Sequence, residues 1–139
     1  IVNGLLVAEE SGKKAVTFNN PKTGKTFAFS KYYISDVKAA DDNLLVSIKG
    51  DDGKNYYTVL DGNGNMLFEP ILGTSATAGD GKITLLKDDD YLVLDYSGNV
   101  IIDIGKYSYI GTFNDGIAWA KNSSDQYVGI DEKGNVVIS

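Results

Sequence analysis

Apolar and polar positions along this chain alternate over short distances and nowhere hold a helical stripe. Residues 113–138 show the pattern most fully, reading F-N-D-G-I-A-W-A-K-N-S-S-D-Q-Y-V-G-I-D-E-K-G-N-V-V-I. A short apolar run at 117–120 is followed by a polar turn, a second run at 127–130, the segment Asp131-Glu132-Lys133-Gly134-Asn135 and a third run at 136–138. β-Branched and aromatic runs separated by Asp, Asn and Gly clusters are strands joined by tight turns, so this stretch predicts an antiparallel β-meander.

The unit recurs upstream, with apolar runs at 3–7, 15–18 and 26–29, at 43–48, 56–60 and 66–71, and at 83–86, 91–94 and 100–104. The glycine of each second turn, Gly24, Gly64, Gly98 and Gly134, recurs at separations of 40, 34 and 36 residues. Periods of this size belong to solenoids, propellers and arrays. The reading is one β-repeat domain over 1–139, with four imperfect repeats at about 3–42, 43–81, 82–115 and 116–139. Connectors fall at 31–42, 72–81 and 106–115. The first carries Tyr32-Tyr33-Ile34, a candidate fourth strand, and the second, L-G-T-S-A-T-A-G-D-G, has so little side-chain bulk that it reads as the loosest part of the chain.

A three-stranded unit cannot bury its own apolar face, so the repeats must pack on one another or on units outside this segment. The expected fold class is therefore all-β, four imperfect antiparallel β-meander repeats in a propeller-like or open β-repeat array. Closing a ring usually needs a strand shared between the termini; here the first repeat begins two residues in and the last stops after its third strand, so closure stays open. A stacked hairpin sheet and a curled barrel fit the same pattern.

Composition narrows the role by exclusion. All 13 basic residues are Lys, scattered among 19 acidic ones for a net charge of −6, which gives no basic patch to neutralise phosphates and argues against a nucleic-acid partner. The chain has no Cys and no His, so disulfides, thiolate metal sites and Ser-His-Asp or Cys-His catalysis are ruled out. No apolar run approaches the length of a membrane span, and no signal peptide is visible. A start at Ile1 without Met reads as a fragment of a longer chain.

The remaining candidate chemistry is weak. Asp61-x-Asn63-x-Asn65 has the opening of a calcium loop, but Met66 stands where Gly is needed and Leu72 where the bidentate Glu belongs. Asp, Asn and Gly are also what tight turns require, and the acidic pairs Asp41-Asp42 and Asp51-Asp52 and the triplet Asp88-Asp89-Asp90 take the same reading. Residues 76–83 carry a Gly-Lys pair without the other positions of a phosphate loop, and Asn122-Ser123-Ser124 matches a glycosylation acceptor of the kind that occurs by chance. No pair of carboxylates is singled out for glycoside hydrolysis. Neither a catalytic residue, a metal ligand nor a cofactor site is assigned.

Aromatics are the remaining handles. Because side chains alternate across a strand, one member of Tyr32-Tyr33 and one of Tyr56-Tyr57 should face outward, and exposed rings offer rigid contact area to proteins or stacking faces to sugars. Tyr33, Tyr57, Tyr96 and Tyr109 are the candidate ligand-contact residues, while Trp119 sits at a recurrent apolar position and reads as core.

At 111–139 the chain resembles the WG-repeat family of bacterial proteins, whose units combine a "F-x-x-G-L-A-x-V" strand, a Tyr-Gly or Trp-Gly segment and "I-D-x-x-G-x-V-V-I". Phe113, Gly116, Ile117, Ala118, Gly129, Ile130, Asp131, Gly134, Val136, Val137 and Ile138 fall on that pattern, and 94–102 repeat its last part. No repeat contains the Trp-Gly pair itself, and Asn19 replaces the turn Asp in the first. The resemblance implies a non-catalytic repeat module at a bacterial surface. The expected function is thus a non-enzymatic interaction module of an exported or surface protein, binding protein or peptide partners, with carbohydrate binding through Tyr and Trp rings as the alternative.

Overall fold

The computed structural model describes residues 6–9, 16–20, 24–29 and 33–139, apart from the side chains of 6–9, 16–18, 20, 28, 29 and 33. The expected strands over 3–7 and 15–18 enter it as Leu6–Glu9 and Val16–Asn20; their other residues, and Tyr32, lie outside the described set. The described elements are all β-strands, as the alternating pattern predicts. The chain forms two compact units, Ile1–Leu72 and Gly73–Ser139.

The first unit holds two antiparallel sheets. One orders β1 (Leu6–Glu9), β2 (Val16–Asn20) and β3 (Lys25–Phe29); the other orders β4 (Tyr33–Ala40), β5 (Asn43–Lys49), β6 (Asn55–Leu60) and β7 (Ile71–Leu72). β5 is buried on both faces from Leu44 to Ile48, which is why it reads as an almost unbroken apolar run. The core joins Ile34, Leu44, Val46, Ile48 and Leu60, with Phe27, Val37, Tyr56 and Met66 against it. The run at 66–71 does not form one strand. Met66 makes an isolated bridge to Leu60 and pairing resumes only at Ile71, because Pro70 has no N–H to give to the ladder.

The second unit holds β8 (Ser75–Gly79), β9 (Lys82–Lys87), β10 (Asp90–Asp95) and β11 (Val100–Ile102) as a third sheet. A fourth contains β12 (Tyr109–Ile110), β13 (Ala118–Lys121), β14 (Tyr127–Ile130) and β15 (Val136–Ile138). Their shared core comprises Val93 and Ile102 from the third sheet with Tyr107, Ile110, Phe113, Ala118, Ala120, Val128 and Ile130 from the fourth and its approach.

Three sheets therefore carry four strands, and β4, β8 and β12 arise from segments expected to be connectors. The correction matters most at β8. Small residues here reflect close packing rather than looseness: Ala76 is 2% exposed, a Cβ on Gly79 would lie 2.5 Å from the Phe113 carbonyl oxygen, and one on Gly73, just ahead of the strand, would lie 2.5 Å from the Leu85 Cδ1. Within Ser-Ala-Thr-Ala-Gly the buried Ala76 and the closely approached Gly79 are the positions where packing calls for a small residue.

The matched glycines share one backbone setting. Gly24, Gly64, Gly98 and Gly134 have φ of +70°, +87°, +87° and +85°, a region in which a Cβ is strained. In three of these turns an aspartate closes the loop on itself. Asp61 Oδ1 accepts from the amides of Asn63 and Asn65, Asp95 Oδ1 from those of Ser97 and Asn99, and Asp131 Oδ1 from those of Lys133 and Asn135, all at 2.9 Å.

The outer face of the fourth sheet

β13 reads Ala118-Trp119-Ala120-Lys121, and its burial alternates with the strand period. Ala118 and Ala120 point into the core at 1% and 0% exposure, which puts Trp119 on the opposite face at 52%. Trp119 is therefore not a core residue. The signal was present in the Ala-x-Ala frame: two small residues that fit a narrow core force the intervening one outward.

Strand register places the partners of this face. One row runs Trp119, Gly129 and Ile138 across β13, β14 and β15; the next runs Tyr109, Lys121 and Tyr127 across β12, β13 and β14. Tyr109 packs edge-on to Tyr91 at 5.3 Å and to Tyr127 at 6.4 Å, with ring planes at 71° and 77°. The Lys121 ammonium lies 5.4 Å from the Tyr127 ring centre and pairs with Asp125 at 3.4 Å. The result is an exposed aromatic and aliphatic surface whose one cation is already balanced on the sheet. At its margin β15 is an edge strand, with no strand on its far side among the described residues and with Val136, Val137 and Ile138 all exposed.

The third sheet repeats this register. Its row is Thr84, Val93 and Ile102, and the same irregularity that separates Gly129 from Ile130 separates Val93 from Leu94. There the row is 6%, 0% and 1% exposed, because the fourth sheet covers it. On the fourth sheet Trp119 and Ile138 are 52% and 45% exposed.

The four tyrosines expected to contact a ligand fall two in each unit, Tyr33 and Tyr57 in the first and Tyr96 and Tyr109 in the second. Tyr109 reaches both sides of the fourth sheet's margin, packing on Tyr91 of the third sheet and on Tyr127 of the outer face. Tyr57 is buried on β6, and burial pushes its phenol above the ordinary value, only partly opposed by a hydrogen bond with Ser47, so it offers no ring to a partner. Its neighbour Tyr56 is half-buried, with its hydroxyl donated to Asp52 at 2.7 Å. Tyr96 is half-buried in the β10–β11 turn. Tyr33 lies on β4, and its side chain is outside the described residues. Trp119 and Tyr127 are the residues that the sequence reading missed.

The acidic turns act on their own backbone. Asn122 Oδ1 accepts the amides of Ser124 and Gln126 at 2.9 and 3.0 Å, doing with a neutral amide what Asp61, Asp95 and Asp131 do with a carboxylate, so the arrangement is a turn device rather than half of a cation site. Asp88 and Asp89 have φ of +50° and +70° between paired Lys87 and Asp90, a two-residue hairpin turn of mirror-image type. Among the described residues no group of three acidic side chains is placed to hold a metal. A cavity of about 150 Å³ between the third and fourth sheets, lined by Thr77, Thr84, Tyr91, Tyr109 and Thr112 among others, is smaller than the roughly 300–1,000 Å³ of small-molecule sites. Its three threonine hydroxyls are already engaged, Thr84 with the Gly111 carbonyl at 3.0 Å and Thr112 with Thr77 at 2.8 Å.

No curated protein matches the chain. Among solved structures it is similar to the crystal structure of HIRA(644-1017), at 16% identity and a TM-score of 0.58 over 95% of this chain and 48% of that one. It is also similar to KlHsv2 with loop 6CD replaced by a Gly-Ser linker, at 10% identity and a TM-score of 0.57 over 97% of this chain and 48% of that one. These likenesses concern the fold, which is propeller-like, and the chain spans about half the length of each. Residues 93–124 match the WG containing repeat. The matched segment starts in β10 and ends after β13, so it overlaps the resemblance seen at 111–139 but is framed differently. It holds Val93, Ile102, Ile110, Phe113, Ala118 and Ala120, both sides of one sheet-to-sheet core. Residues 93–124 are thus similar to the WG containing repeat, within an all-β fold of propeller-like meander sheets.

Proposed function

We propose that this chain is a non-enzymatic interaction module of an exported or surface-attached bacterial protein, and that it binds a protein or peptide on the outer face of the fourth sheet. The observation that carries this reading is the exposure of Trp119 at 52%, where the matching Thr84 is 6% exposed. A large apolar side chain held rigidly on a strand and flanked by Tyr109 and Tyr127 is the composition that protein interfaces favour. β15 is an edge strand among the described residues, and an extended peptide can continue a sheet at such an edge. Propeller-like repeat folds are common protein-interaction scaffolds, and the surface location rests on the WG-repeat resemblance. Among the described residues no helix is long and apolar enough to cross a membrane.

The rings favour a protein over a sugar. Tyr91, Tyr109 and Tyr127 stand edge to face, at 71° and 77°, rather than side by side in one plane, so they make no flat platform for a pyranose. Selection from a displayed peptide library tests the reading. Selected peptides should shift the emission of Trp119, the chain's one tryptophan, and lose binding to Trp119→Ala and Tyr127→Ala. Peptides that bind all three proteins equally, or binding confined to a glycan array, would overturn it. Surface proteolysis of intact cells making the full-length protein tests the location.

A further inference from the structure

Asn63 stands immediately ahead of the left-handed Gly64, in the turn closed by the bridge between Leu60 and Met66. The residues that precede the matched glycines of the other repeats are Thr23, Ser97 and Lys133, so this turn alone among the four carries an Asn-Gly pair. Gly64 is fixed by the fold, because its φ is +87° and a Cβ there would overlap the Phe27 ring. Asn63 is exposed, and among the described residues nothing holds its side-chain amide. Other turn asparagines are held. Nδ2 of Asn65 donates to Asp61 Oδ2 at 3.2 Å and that of Asn99 to Asp95 Oδ2 at 3.0 Å, while Asn122 Oδ1 accepts two backbone amides. Their successors are Met66, Val100 and Ser123, whose side chains crowd the backbone nitrogen that follows the asparagine.

We propose that Asn63 is a spontaneous modification site, deamidated through attack by the Gly64 backbone nitrogen, and that the change loosens the first unit as the protein ages. The nitrogen gives its proton to solvent and bonds to Asn63 Cγ; the Cγ–Nδ2 bond breaks, and the amide takes a proton from solvent and leaves as ammonia. Water then opens the cyclic imide. Opening at the side-chain carbonyl leaves aspartate, and opening at the backbone carbonyl leaves isoaspartate, with an extra carbon in the main chain. Either product adds a carboxylate that is ionised at neutral pH. The Gly64 amide donates to the Asp61 carbonyl at 3.0 Å, so the reaction runs from turns that have opened locally, and folding slows it without preventing it. In the isoaspartyl chain the turn loses the length that lets Asp61 Oδ1 accept from both Asn63 and Asn65, and Gly64 shifts against Phe27.

Incubation at mildly alkaline pH, followed by peptide mapping and labelling with an isoaspartyl methyltransferase, tests the proposal. The peptide holding 63–64 should exchange NH2 for OH in mass and take label several-fold faster than the peptide holding Asn122-Ser123. Asn3-Gly4, the chain's other Asn-Gly pair, lies outside the described residues and is read on its own peptide. Asn63→Ser, which copies Ser97 of the matched turn in the third sheet, should take no label there. With age, the urea midpoint of the wild-type chain's acidic fraction from anion exchange should fall further than that of Asn63→Ser kept in parallel. Labelling at 63–64 no faster than at 122–123 overturns the site; equal falls in urea midpoint overturn the loosening.

Discussion

Tyr107 donates its hydroxyl hydrogen to the carbonyl oxygen of Gly134 at 2.6 Å, tying the segment ahead of β12 to the turn that joins β14 and β15. The phenol is 7% exposed, and burial, with the negative charge of Asp131 as a lesser cause, holds its pKa above the ordinary value. Removing the hydroxyl leaves the Gly134 oxygen without this donor. Tyr107→Phe should therefore lower stability by about 1–2 kcal/mol, read as a lower urea midpoint at unchanged slope. Because the folded pKa is raised, the stability linked to this phenol is complete below about pH 10 and is lost as pH rises through the folded value. Tyr107→Phe should flatten that alkaline limb.

Two glycines with the same backbone sign separate conformational strain from collision. Gly53 has φ of +78° with nothing within 4 Å of where a methyl group would stand, whereas Gly64 has φ of +87° and its Cβ would overlap the Phe27 ring. Gly53→Ala should cost about 1 kcal/mol for its left-handed backbone alone. Gly64→Ala should cost at least twice as much, since Phe27 packs against the first unit's core. Equal losses in parallel denaturation curves would mean that the ring moves aside freely.

Acid should act through the turn aspartates. In Asp61 and Asp95 burial pushes the pKa up, but the combined hydrogen bonds from the turn amides and the Asn65 or Asn99 side chain outweigh it and leave both carboxyls below the ordinary value; in Asp131 the Asn135 amide is the main cause of the same lowering. With folded values depressed, their stabilisation is complete above about pH 4 and fades as pH falls through the folded values. Replacing all three by Asn keeps an oxygen for the amides, as Asn122 does. The triple variant should show a shallower loss of thermal stability in acid than the parent, and an unchanged acid limb would refute the assignment.

Lys82 is buried at the junction of the third and fourth sheets, where its ammonium donates to the Asp80 carbonyl at 2.9 Å, meets Glu132 at 3.2 Å and lies 5.4 Å from the centre of the Phe113 ring. The Glu132 side chain is 55% exposed, so solvent screens that pair and Glu132→Gln should cost about 0–1 kcal/mol. Lys82→Met removes the donor from Asp80 and the charge from the ring together, and should cost about 1–3 kcal/mol. The reverse order of melting temperatures would show that the ion pair, not the carbonyl and ring, holds this lysine.

Local chemistry was legible along the chain. Alternation, β-branched runs and Asp/Asn/Gly clusters specify strands and turns through contacts only a few residues apart, and the left-handed glycines mark the repeat wherever they fall. The amides closed by Asp61, Asp95 and Asp131 are of the same kind, since each bond spans four residues or fewer. β8 escaped that reading because its Gly79 answers to Phe113, which is distant in sequence.

The sequence by itself determined that this is an all-β repeat chain, which residues make its turns, and that His and Cys chemistry is absent. The tertiary structure alone decided which face of each strand is covered. Thr84 and Trp119 occupy matching positions on matching strands, and one is buried and the other bare because a neighbouring sheet lies over the first. Period-two alternation separates two faces without saying which is inward. That choice is made by packing between sheets, where burial of apolar area depends on what stands about 10 Å away rather than on the strand's own residues.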